Sequence, residues 1–225
     1  MELNKYIDHT KLGFVTTKTE IKKLCEEALE YNFKSVCVTP PMVSWAAKLL
    51  KGSEVAVCTV IGFPHGNQTI NTKDLETLEA LYNGAQEIDM VINVSELKSD
   101  PLVSKKHYVY KEISRIRKTA KNVILKVIIE SGLLSDEEII LACELAKLAQ
   151  ADFVKTSTGY ASVGATAHAV ELMVKHAFPL LVKASGGIRT TQDALSYIKL
   201  GASRLGTSAG VAIVKGENNN VNTTY

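Results

Sequence analysis

The feature that most limits what this chain can become is an alternation running through nearly all of it. Short apolar runs rich in β-branched residues fall at 6–10, 35–39, 55–63, 88–93, 123–130, 152–157, 180–184 and 204–207. Between them lie stretches whose apolar residues recur at helical spacing, among them 19–31, 136–150 and 191–200. Ser135 stands as an N-cap with Glu138 three residues on, the capping box that opens the second of these helices. Alternation of this kind argues for parallel strands joined by crossover helices. Eight such units in about 215 residues predict an α/β fold, a closed (β/α)8 TIM barrel in a single domain, near the lower size limit for that architecture. An open doubly wound sheet is the alternative, and the lack of a Gly-rich dinucleotide fingerprint after the first strand counts against it. The barrel is expected over residues 1–214. The polar, asparagine-rich end, 215–225, reads as a flexible tail.

Composition serves to exclude. Lys and Arg number 26 against 24 Asp and Glu, a formal charge of +2, so no whole-molecule field draws in nucleic acid or an anionic membrane. Any anion site must be local. The opening MELNKYIDHTKLG lacks the apolar core of a signal peptide, and no run approaches the roughly 18 apolar residues of a membrane span. Cys25, Cys37, Cys58 and Cys143 show no C-x-x-C pairing and read as reduced thiols of a cytoplasmic protein. His9, His65, His107, His168 and His176 are scattered without ligand-like spacing, so no metal and no other cofactor is expected.

Three strands carry the same interruption. "VILKVIIE", "DFVKTST" and "LLVKASGG" each place a lysine after two apolar residues, and Lys126, Lys155 and Lys183 stand 29 and 28 residues apart. That is one β/α unit each time, which puts the three on successive strands at similar height. Asp89 interrupts a fourth strand, "EIDMVIN". A lone lysine can lay its methylenes on apolar neighbours with its head in water, and a buried Asp–Lys pair can be purely structural. Three lysines in step with a carboxylate, at the strand ends where such barrels do their chemistry, point to a site. The corners "ASGGIR" and "RLGTSAG" would be the loops after strands seven and eight, where this fold often holds phosphate. Gly186 and Gly187 allow close approach of amides to an anion; Gly206, Thr207 and Ser208 add amides and hydroxyls, and a helix start after Ser208 its positive end. Tight strand-to-helix turns use glycine too, so one corner alone would carry little.

"EIDMVIN", "LKVIIE", "FVKTSTGY…GAT", "VKASGGIR" and "RLGTSAG", in that order and spacing, resemble the deoxyribose-phosphate aldolases, as do "IDHT" and "VIGFP". The resemblance covers essentially residues 6–214, and K-T-S-T-G with K-A-S-G-G is highly specific as a pair. It implies a class I aldolase of deoxyribonucleotide catabolism that reversibly splits 2-deoxy-D-ribose 5-phosphate into acetaldehyde and D-glyceraldehyde 3-phosphate. By position it implies that Lys155 forms the Schiff base, Lys183 is the second active-site lysine and Asp89 the catalytic carboxylate. Gly186, Gly187, Gly206 and Ser208 then fall on the phosphate loops, with Thr158 and Lys126 in the substrate pocket and Cys37 and Tyr225 as auxiliary residues. Lys126 either adds positive potential or pairs with Asp89.

Cleavage beside a carbonyl needs an electron sink, and a lysine iminium serves without metal. The attacking amine must be neutral, whereas a free lysine titrates near ~10.4. A second cation at Lys183 and an apolar wall would both favour the neutral form. Asp89 would keep Lys183 charged and relay protons through water.

Two positions depart from the family pattern. Tyr160 stands where members carry phenylalanine or a basic residue, and Ala209 where a second serine is common. A basic contact to phosphate is thereby absent at Tyr160, and Ala209 removes one hydroxyl from the phosphate loop. Some members end in a tail whose tyrosine enters the site, a role open to Tyr225, although a frayed end is the plainer reading. The expected partners are small phosphosugar and aldehyde substrates, with no nucleic acid and no membrane; a homo-oligomer is left open. Two other readings remain. One is a sibling Schiff-base aldolase acting on a different aldol. The other is a catalytically silent phosphosugar binder, which would need the glycine corners but not Lys155, Lys183 and Asp89.

Overall fold

The structure, a computed structural model, describes residues 2–216. Its eight strands are β1 (Ile7–Lys11), β2 (Ser35–Val38), β3 (Ala56–Ile61), β4 (Glu87–Val91), β5 (Ile124–Ile128), β6 (Phe153–Lys155), β7 (Leu181–Ser185) and β8 (Arg204–Thr207). They close into a barrel in chain order, and every neighbouring pair is parallel. The open sheet is thereby excluded.

The helices are α1 (Lys18–Glu30), α2 (Val43–Leu49), α3 (Ile70–Tyr82), α4 (Val94–Ser99), α5 (Tyr108–Thr119), α6 (Asp136–Leu148), α7 (Ala167–Ala177), α8 (Thr191–Lys199) and α9 (Gly210–Lys215). Capping boxes open α1 (Thr17 with Glu20), α6 (Ser135 with Glu138) and α8 (Thr190 with Asp193), each satisfying amides that a first turn leaves orphaned. Helix α9 runs to Lys215, one residue past the expected edge of the barrel. Tyr225 and most of the expected tail lie outside the described residues. Among the described residues, no helix is long and apolar enough to cross a membrane.

Strand β6 is shorter than its apolar run because a side chain takes over the ladder. The Thr156 hydroxyl accepts from the Ser185 amide and donates to the Ser185 carbonyl, both at 3.0 Å. The chain past Lys155 is thus tied to β7 while leaving regular strand geometry.

The two faces of the sheet differ in kind. Outward residues such as Val36, Ile88, Met90, Leu125, Val127, Val154, Val182 and Leu205 join Ile21, Ile113, Leu145 and Met173 of the helices in one apolar core. Inside, the registers combine with the tilt of a closed barrel to stack the inward side chains in rings of four, drawn from alternate strands. The lowest ring holds Ser35, Glu87, Phe153 and Arg204; the middle ring Asp8, Cys58, Lys126 and Lys183; the upper ring Cys37, Asp89, Lys155 and Gly206. Bulky branched residues usually fill these rings. Here seven of the positions are charged.

Candidate active site

The rings place the lysines at two heights rather than one. Lys155 pairs with Lys183 in the β6–β7 ladder, but Lys126 pairs with Phe153, and the β5 partner of Lys155 is Ile128. Equal spacing along the chain missed this because it takes no account of strand length or tilt. Lys126 and Lys183 therefore occupy the middle ring and are fully enclosed, while Lys155 stands above them at 3% exposure.

Asp89 joins all three. Its Oδ2 receives Lys155 Nζ at 2.9 Å and Lys183 Nζ at 2.8 Å, and its Oδ1 receives Lys126 Nζ at 2.8 Å. Burial alone would raise the Asp89 carboxyl, but the three ammonium groups outweigh it and hold it well below the usual carboxylate range. Lys126 thus pairs with Asp89, one of its two expected readings, and it also meets Glu87 at 2.6 Å. Burial would depress Lys126, yet the Asp89 and Glu87 carboxylates around it raise it well above an ordinary lysine.

Four ionisable residues of this cluster were not singled out from sequence. Asp8 Oδ2 forms an ion pair with Lys183 Nζ at 2.5 Å, and Asp8 Oδ1 accepts from Arg204 Nε at 2.8 Å and the Ser35 hydroxyl at 2.7 Å. Arg204 closes the lower ring on Glu87 at 2.7 Å. Cys58 Sγ donates to Asp89 Oδ1 at 3.1 Å, and burial pushes that thiol well up. Asp8, held between Arg204 and Lys183 despite its burial, is kept ionised far below the usual range. In turn Asp8 and Asp89 raise Lys183, overcoming the burial that would lower it. A faint signal existed for two of the four. Glu87 lies two residues before Asp89, hence on the same face of its strand, and Asp8 is the one acidic residue of the short run at 6–10.

The remaining candidates fall around the barrel mouth. Gly206 belongs to the upper ring, where a Cβ would come 2.9 Å from Ser185 Cβ and 3.1 Å from Lys183 Cε; its lack of a side chain makes room for Lys183. Gly186 and Gly187 both have positive φ, at 87° and 81°, and Ser208 is exposed at the end of β8. The Thr207 hydroxyl does not face an anion site: it donates to Ile188 O and accepts from the Ala209 amide. Thr158 Oγ1 donates to Glu130, which also accepts the Thr158 amide. Burial raises the Glu130 carboxyl. Cys37 is buried beside Cys58, its ladder partner. Tyr160 reaches Leu12 O at 2.7 Å and meets Phe14 and Phe63 edge-on, an aromatic lip where a basic residue could have stood.

A cavity of about 620 Å³ opens over this region, lined by residues that include Asn67, Val91, Asn93, Glu130, Thr158 and Tyr160. Val91 sits two residues above Asp89 on β4, so the cavity lies on the β3–β6 side of the mouth, across from the glycine corners.

Comparison with known proteins gives one consistent result. Residues 3–216 match the family described as DeoC/LacD family aldolase. The chain is 53% identical over 218 residues to a deoxyribose-phosphate aldolase of Clostridium perfringens and 51% identical over 217 residues to one of Brevibacillus brevis, in each case covering 96% of both chains. Among solved structures, it resembles a putative deoxyribose-phosphate aldolase from Coccidioides immitis with a TM-score of 0.91 at 44% identity, covering 95% of this chain and 85% of that one. The tetrameric deoxyribose phosphate aldolase of Aeropyrum pernix aligns with a TM-score of 0.87 at 35% identity, covering 95% and 89%.

Proposed function

This chain belongs to the DeoC/LacD family of aldolases, and from that premise we propose that it reversibly cleaves 2-deoxy-D-ribose 5-phosphate to acetaldehyde and D-glyceraldehyde 3-phosphate through a Schiff base on Lys155. Its place would be deoxyribonucleotide breakdown, with small phosphosugar and aldehyde substrates as its partners. The observation that carries the reading is the ionic stack under Lys155. Four cations (Lys126, Lys155, Lys183 and Arg204) face three carboxylates (Asp8, Glu87 and Asp89) in an enclosed interior. With every amine protonated the stack holds one positive charge in excess, so it can spare one proton and come into balance. A nucleophilic amine has to be neutral, and this arrangement accommodates one.

Lys155 is the amine we assign to attack. It has one carboxylate partner where Lys126 and Lys183 have two each, and it stands one ring closer to the mouth than they do. Attack of its Nζ on the substrate carbonyl carbon gives a carbinolamine, and loss of water gives the iminium. The electrons of the breaking carbon–carbon bond then flow into the iminium to leave an enamine, while the hydroxyl proton of the departing aldehyde goes to solvent or a relay. Asp89, bonded to both Lys155 and Lys183, is positioned to pass protons between them and a water. The phosphate is assigned to the loops at Gly186, Gly187, Gly206 and Ser208, beyond Lys183.

Borohydride reduction in the presence of acetaldehyde tests the assignment directly. A reduced two-carbon adduct found by mass spectrometry on Lys155 is the expected result. An adduct confined to Lys183 or Lys126 would move the nucleophile, and no adduct at all would favour a silent phosphosugar binder.

The phosphate assignment has its own test. Ser208→Asp sets a negative charge where the phosphate is placed, and like-charge repulsion in a partly desolvated site should lower kcat/KM for the phosphosugar by roughly 10²-fold or more. Acetaldehyde carries no phosphate, so its borohydride adduct should form as in the parent. Loss of both in a protein whose circular dichroism is unchanged would remove Ser208 from the phosphate site.

A further inference from the structure

A second buried ion pair stands apart from the stack. Lys73 on α3 and Glu112 on α5 are both wholly enclosed. Lys73 Nζ has three protons and three acceptors: Gly66 O at 2.6 Å, Val91 O at 2.7 Å and Glu112 Oε1 at 2.5 Å. The other Glu112 oxygen accepts the Asn93 amide at 3.0 Å. Every bond from the pair to backbone therefore lands on one of two segments, the loop after β3 and the end of β4.

Those segments are pressed together. Gly66 has φ of 69°, and a Cβ there would fall 1.9 Å from Ile92 O. Nearby, Glu76, one turn along α3 from Lys73, accepts the Gly62 amide at 2.7 Å. The loop is thus held from α3 at both ends. The same two segments supply Pro64, His65, Asn67, Val91 and Asn93 to the cavity wall. An apolar pair of similar volume would often fill such a space with equal or better stability, because two buried charges forfeit their hydration. It could not offer the hydrogen bonds that this pair makes to two carbonyls and an amide.

We propose that Lys73 and Glu112 are positioning residues for substrate binding, locking the 62–66 loop onto the end of β4 and so setting the β3–β4 wall of the cavity that Glu130, Thr158 and Tyr160 line from its other side. The inference rests on the aldolase reading above. The wall acts on the bound phosphosugar rather than on the nucleophile, because Lys155 is carried by β6 and its carboxylate partner by the interior of β4. Its disturbance should therefore appear in KM.

The test compares Lys73→Met with the double variant Lys73→Met/Glu112→Leu. The single change strands a buried carboxylate and lowers Tm; removing both charges should return Tm most of the way to the parent. In the double variant KM for 2-deoxyribose 5-phosphate should nonetheless stay roughly 10-fold or more above the parent, since small misplacements of positioning groups are costly. Its kcat should change less than about threefold, and amide exchange across 62–66 should be faster. Recovery of KM together with Tm would reduce the pair to a structural brace and overturn the proposal. Should the double variant not fold, the isosteric Glu112→Gln takes its place. A raised KM with faster exchange at 62–66 supports the proposal, and a parental KM with the same faster exchange overturns it. The acetaldehyde–borohydride adduct on Lys155 should form in all of these variants. Its absence from the parent protein would instead sink the aldolase reading on which the wall depends.

Discussion

Lys155→Leu should abolish turnover of 2-deoxyribose 5-phosphate, by roughly 10⁵-fold or more, and leave the melting temperature close to that of the parent. The two halves of this result have separate causes. Without an amine at the upper ring there is no covalent electron sink, and Lys126 and Lys183 lie one ring lower, each held by two carboxylates. Stability follows from charge balance. Removing Lys155 leaves Lys126, Lys183 and Arg204 against Asp8, Glu87 and Asp89, three of each sign, and Asp89 keeps two ammonium partners. Leucine fills a similar volume, so Tm should move by no more than about 3 °C, the equivalent of about 1 kcal/mol for a chain of this size. Steady-state kinetics and a thermal melt measure both. A fall in Tm of 10 °C or so, with activity partly retained, would make Lys155 a structural ion-pair member instead.

Asp89→Asn is expected to lose both activity and stability. The substitution keeps the side-chain shape but leaves four cations facing two carboxylates in the same enclosed space. Breaking a buried pair by removing one partner costs about 3–5 kcal/mol, and Asp89 serves three partners at 2.8–2.9 Å. A drop in Tm of roughly 10 °C or more follows for a domain of this length. Turnover should fall by about 10³-fold or more through loss of the proton relay. The double variant Asp89→Asn/Lys126→Met separates the two losses. It returns the stack to one excess cation, as in the parent, so Tm should rise again while turnover stays low. If turnover returned with Tm, Asp89 would be a counter-ion only.

The sequence comes close to the structure at the level of elements. The expected strand at 204–207 is β8 to the residue, and the capping box read at Ser135 and Glu138 opens α6. Such features are local: period-two and helical spacing, and a cap followed three residues later by its partner, all lie within one element. The shortened β6 was not legible, because the bond that ends it joins Thr156 to Ser185, 29 residues away.

By itself the sequence determined the alternation that demands a parallel barrel, and the placing of Lys126, Lys155 and Lys183 on three successive strands with Asp89 on a fourth. It could do so because a repeat of one β/α unit is a property of chain length alone. Only the tertiary structure decided which charges meet. Asp8 and Lys183 are 175 residues apart and Asp8 and Arg204 are 196, yet closure of β1 on β8 brings them into contact. Nor does any spacing show that Lys126 lies below Lys155, that Gly206 clears space for Lys183, or that Lys73 and Glu112 hold the loop after β3 and the end of β4 from outside the barrel. Those outcomes depend on strand tilt, register and closure, which fix the height of each inward side chain only once all eight strands are joined.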